Sequence, residues 1–316
     1  MGPVGIAGDL VTDGGTVNRS PAGQLLVLTA NLKKAVPRDR IDSEIIKFAQ
    51  RVATVVPFAP DAVLLQEVVE SSAARVAELL EETTGFGFEV AVTPGPEPIV
   101  GTKDDQVIVR NSAILVNSRS LRVVGEGNFV ATRYSSRDAA SDVRPRIKEH
   151  PHCLTRTTSG SIDLPLVSIH FVTNEKFAAS SMGFSYKTQW AREVMNFVRT
   201  QYPPGDVPQV PVIGGDFNNR RCLSSREKVA CEVWPFWHVL TEQGGFRDAV
   251  FERHGGSEKS LAAQTNGRRR IDYVFVRGAI HDASHDVGYR ARRGDRDFYS
   301  DHQLLWALVG PNEDSS

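Results

Sequence analysis

The chain has 316 residues, 41% of them hydrophobic, a formal net charge of -1 and a sequence pI of about 6.7. It is long enough to bury a sizeable core as one large domain or two, and the balanced charge excludes a global positive field for drawing in polyanions. Three cysteines, Cys153, Cys222 and Cys231, form no metal-type pair and no disulfide framework, which points to a reducing compartment and a cytoplasmic protein. No apolar run approaches membrane-spanning length, and Met1 to Ser20 lack the basic and apolar regions of a secretory signal.

Residues 1–22, rich in Gly, Asp, Thr and Asn, read as a flexible leader to a single domain over 23–311, with 312–316 a disordered tail. Short apolar runs rich in β-branched residues predict strands at Leu25–Ala30, Val63–Gln66, Phe88–Val92, Ser112–Val116, Leu166–Phe171, Val210–Ile213, Tyr273–Val276 and Leu304–Leu308. Between them, Ile41–Val56 repeats its apolar residues close to a 3.6 period, and Ser72–Thr83 and Lys187–Thr200 look similar. Pro57 and Pro60 stop any helical extension toward Asp61. No internal repeat or low-complexity tract is visible.

Two basic segments stand out. Over 133–156, Arg133, Arg137, Arg144, Arg146, Lys148 and Arg156 outnumber Asp138, Asp142 and Glu149, as a solvated surface loop or as a loop facing a phosphate. Arg268-Arg269-Arg270 leads directly into Ile271-Asp272. Arg146, Arg156 and Arg270 are the candidate substrate-binding cations.

The chemistry concentrates where predicted strands end. Asn31 follows Leu25–Ala30, Glu67 follows Val63–Gln66, His170 closes Val167-Ser168-Ile169, and Gly214-Gly215-Asp216-Phe217-Asn218 follows Pro211-Val212-Ile213. Polar groups at the ends of buried strands converge on one edge of a sheet. Hydrolysis of a phosphoester near neutral pH needs a divalent ion to offset phosphoryl charge, a group to prepare the water, and donors to hold the in-line geometry. Glu67 suits the metal, because Mg²⁺ favours oxygen ligands and one or two carboxylates. Asn31 suits orienting a metal ligand or a phosphate. Asp216 and Asn218, two apart, share a face if extended, a carboxylate to handle a proton and an amide to donate to a phosphate oxygen. Gly214 and Gly215 permit close backbone approach or unusual dihedrals. His302 needs a carboxylate to fix its tautomer, and Asp272 can serve. Asp301, adjacent to His302, is expected to point away from it and to act as a metal-side carboxylate. His170 reads as a phosphate-binding group or leaving-group acid.

Other chemistries lack their motifs: there is no phosphate loop ending in Lys-Ser or Lys-Thr, no His-Glu-x-x-His and no Gly-x-Ser-x-Gly elbow. His281 and His285 stand four apart, but in a polar stretch that is not clearly helical.

Together, Leu-Thr-Ala-Asn31, Leu-Leu-Gln-Glu67, Asn-Ser-Ala-Ile-Leu at 111–115, Ser-Ile-His170, Gly-Gly-Asp216-Phe-Asn218, Arg-Ile-Asp272-Tyr-Val and Ser-Asp301-His302 resemble, in order, the motifs of the endonuclease/exonuclease/phosphatase superfamily with its DNase I-like fold. The resemblance covers about residues 24 to 309. It implies a four-layer α/β sandwich, two mixed β-sheets packed face to face with helices outside, and a site at one edge. It also implies Mg²⁺ or Mn²⁺ dependence and in-line attack by water, with His302 paired to Asp272, Glu67 on the metal, and Asp216 and Asn218 near the scissile phosphate. Two departures stand out: Lys33 occupies a position where some nucleases of the family carry an acid, and the carboxylate partner expected for His170 is open among Glu97, Asp104 and Asp105. The expected function is a metal-dependent phosphodiesterase or nuclease acting on nucleic acid, with no membrane and no obligate protein partner. The alternatives are hydrolysis of a small phosphorylated metabolite, nucleotide or lipid headgroup, and a non-catalytic binding protein on the same fold.

Overall fold

The computed structural model describes residues 18–32, 41–93, 107–109, 111–137, 143–171, 180–218, 234–254, 270–286, 289 and 299–312. The strands are β1 (Leu25–Asn31), β2 (Ala62–Gln66), β3 (Phe88–Val92), β4 (Val107–Val109), β5 (Ser112–Asn117), β6 (Leu121–Arg137), β7 (Val143–Thr157), β8 (Asp163–His170), β9 (Val212–Asp216), β10 (Arg247–Asp248), β11 (Asp272–Val276), β12 (Ala279–His285) and β13 (Leu305–Gly310). The helices are α1 (Ile41–Val55), α2 (Glu70–Thr84), α3 (Ser180–Gln201), α4 (Trp234–His238), which runs into a π turn over Val239–Gln243, and α5 (Ala249–Arg253).

The strands form two mixed sheets. One runs β12-β13-β1-β2-β5-β3; the other runs β10-β11-β9-β8-β7-β4, with β6 paired to β7. Strands apolar on both sides must bury both faces, and β1 shows where each face goes. Leu25 and Val27 point into a cluster with Leu64, Ile114, Leu166, Val212 and Val274, which fills the space between the sheets. Leu26, Leu28 and Ala30 point outward onto Phe48 and Val52 of α1 and Val76 and Leu80 of α2. On the far side, Val167, Ile169, Ile213 and Phe275 pack under Trp190, Val194 and Val198 of α3. Three apolar clusters thus separate four layers, helix–sheet–sheet–helix, as the resemblance implies.

A polar seam crosses the inter-sheet space just beneath one edge. Gln66 Nε2 donates to Thr29 Oγ1 at 3.1 Å and to Ser168 Oγ of the other sheet at 3.0 Å, and Ser168 Oγ donates to the carbonyl of Leu65 at 3.2 Å. Buried polar groups that are mutually satisfied carry little penalty and set one alignment of the sheets.

Two expectations change, and the reading of the His281–His285 stretch as not helical stands. The basic stretch within 133–156 is not a loop: β6 and β7 pair as one long antiparallel hairpin from Leu121↔Thr157 to Arg137↔Val143. The segment holding His281 and His285 is strand β12, so a spacing of four does not bring the two imidazoles together as it would on a helix. Residues 18–22 of the expected leader dock on the domain: the amide of Ala59 donates to the carbonyl of Asn18 at 3.0 Å, and Ser20 Oγ donates to Asp61 Oδ2 at 3.0 Å. The rest of the leader, 1–17, and the tail from 313 lie outside the described residues, as do Lys33, Glu97, Asp104, Asp105, Arg268 and Arg269. No described helix is long and apolar enough to cross a membrane.

Candidate active site

The two sheets contribute opposite halves of one cluster. β1 and β2 run parallel, so Asn31 ends one strand as Glu67 follows the other. In the second sheet, β8 and β9 are parallel with His170 beside Asp216, and antiparallel β11 sets Asp272 on the other side of Asp216. Asp216 therefore lies between His170 and Asp272 at the mouth of the sandwich, 1% exposed.

Backbone conformation explains Gly214 and Gly215. A Cβ on Gly214 would lie 2.7 Å from Leu64 Cδ1 of the facing sheet. Gly215 has φ +142°, and a Cβ there would lie 1.9 Å from the carbonyl oxygen of Ile169. Only glycine allows β8 and β9 to bring His170 and Asp216 this close. Glu67 (φ 55°) and Asn218 (φ 47°) are the non-glycine residues with positive φ among those described, and both belong to the cluster. Strained backbone at such positions is held by its surroundings and is characteristic of functional sites.

Contacts within the cluster run both within each sheet and across the gap between them. Asn31 Nδ2 donates to Glu67 Oε1 at 3.2 Å and to Asp216 Oδ2 at 3.0 Å. Asp216 also accepts from the amide of Asn218 at 2.7 Å and from Asn218 Nδ2 at 3.1 Å. His302 Nδ1 lies 3.0 Å from both carboxylate oxygens of Asp272, while its Nε2 sits 3.9 Å from Asp216 Oδ2. His170 Nε2 faces Glu67 Oε1 at 3.5 Å and Asp216 Oδ2 at 3.8 Å. The loop carrying His302 is anchored by Ser300, whose Oγ donates to the carbonyl of Asn31 at 2.6 Å and accepts from the amide of His302 at 3.1 Å.

Electrostatics separates the two central groups. Burial and the neighbouring Asp272 carboxylate push Asp216 up to about 7, against the opposing pull of His302 and the donors of Asn218 and Asn31. Burial lowers the affinity of His302 for a proton, but the charge and hydrogen bond of Asp272 outweigh it, leaving His302 raised to about 10. At neutral pH His302 is an imidazolium, with Nε2 as a donor, while Asp216 is poised to gain or lose a proton.

Several expected roles shift. Asn218 Nδ2 gives one hydrogen to Asp216 and the other to the carbonyl of Phe171 at 2.7 Å, so this amide orients Asp216 and has no hydrogen left for a phosphate. Asp301 does not point away from His302: its Oδ1 lies 3.9 Å from Nε2, on the His302 side of the cluster. Arg156 is removed from the site. It forks onto Asp163 Oδ1 and Oδ2 at 2.5 and 3.0 Å, at the opposite end of β8 from His170. Arg270 is 4% exposed, ion-paired with Asp248 and laid over the Tyr273 ring at 4.6 Å, so it supports the start of β11. Arg146 lies on β7, paired through its backbone with Tyr134 and Val107; its side chain is outside the described residues. Sequence reasoning missed Asn111, whose Oδ1 lies 3.3 Å from His170 Nδ1. Its place at the head of the 111–115 motif was the available signal.

The donor set fits a hard divalent cation. One ligand atom from each of Glu67, His170 and Asp216 lies within 4.8 Å of the others, as does one from each of Asp216, Asp272 and His302. Asp272 and His302 already satisfy each other, so the carboxylate side of the first group, Glu67 and Asp216 bridged by Asn31, is the better cation site. Oxygen-dominated sets favour Mg²⁺ or Mn²⁺ over thiophilic metals.

No family model and no curated protein sequence matches the chain. Solved structures do. An endonuclease/exonuclease/phosphatase family protein from Bacteroides thetaiotaomicron aligns over 92% of this chain and 98% of its own, at 18% identity and a TM-score of 0.59. The corresponding protein from Bacteroides vulgatus aligns over 92% and 99%, at 13% identity and 0.58. The chain has the DNase I-like fold of the endonuclease/exonuclease/phosphatase proteins. The same fold is shared by D. rerio TDP2 complexed with single-strand DNA product, which aligns over 90% and 98% at 14% identity and 0.55.

Proposed function

We propose that the chain is a divalent-metal-assisted phosphoester hydrolase that cleaves a phosphodiester in nucleic acid. The observation that carries this reading is a buried carboxylate, Asp216, between two imidazoles, one of them (His302) fixed by its own carboxylate, with an oxygen-rich group beside it. Glu67, with Asn31 and Asp216 beside it, would hold the cation, which when bound offsets charge on the phosphoryl oxygens and the leaving group. Asp216 takes a proton from the attacking water, or orients it, near pH 7. Asn31 and Asn218 keep that carboxylate from rotating. His302, protonated at Nε2, faces the charge that builds on the phosphoryl group, and Asp272 keeps it there. His170, held by Asn111, is the second donor and serves the leaving oxygen.

The nucleic-acid substrate is favoured by the likeness to D. rerio TDP2 complexed with single-strand DNA product. The candidate cations lend it little, since Arg156 and Arg270 are each committed to an internal carboxylate. A buried free thiol at Cys153 accords with a cytoplasmic setting. The deciding experiment is nicking of supercoiled plasmid with Mg²⁺, beside an EDTA control and His302→Ala. Nicking lost in both controls is expected. Folded wild-type protein that binds Mg²⁺ yet leaves the plasmid intact would refute the nucleic-acid substrate and direct the search to phosphate release from small phosphorylated compounds.

A further inference from the structure

The strands that carry the catalytic cluster at one end frame a second cavity at the other. It has a volume of about 180 Å³ and is lined by residues that include Arg19, Asp61, Phe86, Arg119, Thr158 and Ser159. Asn31 ends the seven-residue strand β1 and Leu25, on the cavity wall, begins it. At roughly 3.3 Å per residue the two sites are about 20 Å apart.

The cavity holds an excess of positive charge. Arg19 and Arg119 both lie over the Phe86 ring, with Cζ at 5.7 and 5.4 Å from its centroid. Among the described residues, neither guanidinium is within ion-pair distance of a carboxylate, although both belong to the same cavity. The one acid present, Asp61, is spent on the fold. Its Oδ2 accepts from the amide of Leu26 at 2.7 Å and from Ser20 Oγ at 3.0 Å. Its backbone amide donates to the carbonyl of Leu26, and its carbonyl accepts from the amide of Asn117. Two guanidinium forks therefore line the cavity with no hydrogen-bond partner among the described residues, and Asp61 attracts the charge of Arg19 without pairing with it.

Shape and lining define the ligand. A cavity of this volume falls below the roughly 300 Å³ at which pockets for drug-sized ligands begin, so it suits a small anion and excludes a polymer. Guanidinium forks match the oxygens of a tetrahedral dianion, and the hydroxyls of Thr158 and Ser159, which line the same cavity, give their hydrogens to the carbonyl of Arg119 and to Thr157 Oγ1, so the arginines are the donors that define the ligand. We propose that this cavity is a second binding site, separate from the catalytic edge, for the phosphate dianion, either free or as the monoester of a small molecule. The proposal does not depend on the catalytic reading.

The test is calorimetric titration of the full chain with inorganic phosphate and, separately, glycerol phosphate, at constant ionic strength set with sodium chloride. Asp216→Asn provides a background in which the catalytic edge is altered while this cavity is intact. In that background a binding event is expected to remain, and to weaken about tenfold for each arginine removed in Arg19→Gln/Arg119→Gln, the scale of a charge-assisted hydrogen bond. Tighter binding of inorganic phosphate identifies the free ion as the ligand, and tighter binding of glycerol phosphate identifies a small phosphorylated molecule. If the double variant melts early, Arg119→Gln alone carries the test, with one tenfold loss expected. Superimposable isotherms with and without the arginines, or no binding by the folded parent, overturn the proposal.

Discussion

Asp61 and Asp216 lie at opposite ends of the same sandwich, and comparing them separates two uses of a buried carboxylate. Each is at most 5% exposed, and burial raises the proton affinity of each. Asp61 is surrounded by groups that do not titrate near neutral pH, a backbone amide, the hydroxyls of Ser20 and Ser120 and the permanently charged guanidinium of Arg19. Asp216 is surrounded by groups that do, with Asp272 pushing its proton affinity up and His302 pulling it down. Burial alone does not mark a catalytic acid. Company that can itself change charge does.

The comparison breaks most visibly in activity. His302→Ala and Asp216→Asn are each expected to lower the hydrolytic rate about 10³-fold, the scale of losing a general acid–base or charge-stabilising group, in a plasmid-nicking or phosphate-release assay. Asp61→Asn is expected to leave that rate unchanged. Equal rate losses at both positions would erase the distinction.

The pH profile comes next. The rate should rise through about pH 7 as Asp216 ionises and decline toward pH 10 as His302 loses its proton. In Asp272→Asn the alkaline limb should move to lower pH, because burial of His302 is then opposed only by Asp216 and Asp301. An unmoved limb in rate measurements from pH 5 to 10 would remove Asp272 as the partner that matters.

Stability reverses the order. Asp61→Ala leaves the amide of Leu26 and the hydroxyl of Ser20 without their acceptor, at a cost of about 1–3 kcal/mol in urea unfolding. Asp216 has its folded value raised above the unfolded one, so its contribution favours the fold at low pH and is lost as pH rises through about 7. Asp216→Asn should therefore melt no lower than wild type at pH 8. His302 is raised too: its stabilisation is complete below about 6.5, the unfolded value, and fades as pH climbs through about 10. The smallest effect is expected from Asn111→Ala, about a tenfold rate loss through misorientation of His170.

The end of each strand was legible because an apolar run broken by Asn, Glu, His or Gly-Gly-Asp needs no tertiary information to be recognised. This is why Asn31, Glu67, His170, Asp216, Asp272 and His302 were found and now lie together. What escaped reading depended on contacts across the fold. The hairpin of β6 and β7 carries a basic residue at many positions, so its charge masked its strand character. Arg156 and Arg270 looked free because their acids, Asp163 and Asp248, are brought to them only by folding. Asn218 was found in place, but its bond to the carbonyl of Phe171, 47 residues away, was not readable. The seam of Thr29, Gln66 and Ser168 is three ordinary polar residues until two sheets meet.

That seam has a mechanical consequence. Asn31, Glu67 and His302 ride on one sheet and His170, Asp216 and Asp272 on the other, so the His302–Asp272 pair is a joint between two plates. Apolar layers alone would let the plates slide by fractions of a residue at little cost. The Gln66–Ser168 hydrogen bond acts as a dowel that stops the slide one residue short of the chemistry. Alignment of the two plates, more than the strength of either sheet, is then what the geometry of the cluster depends on.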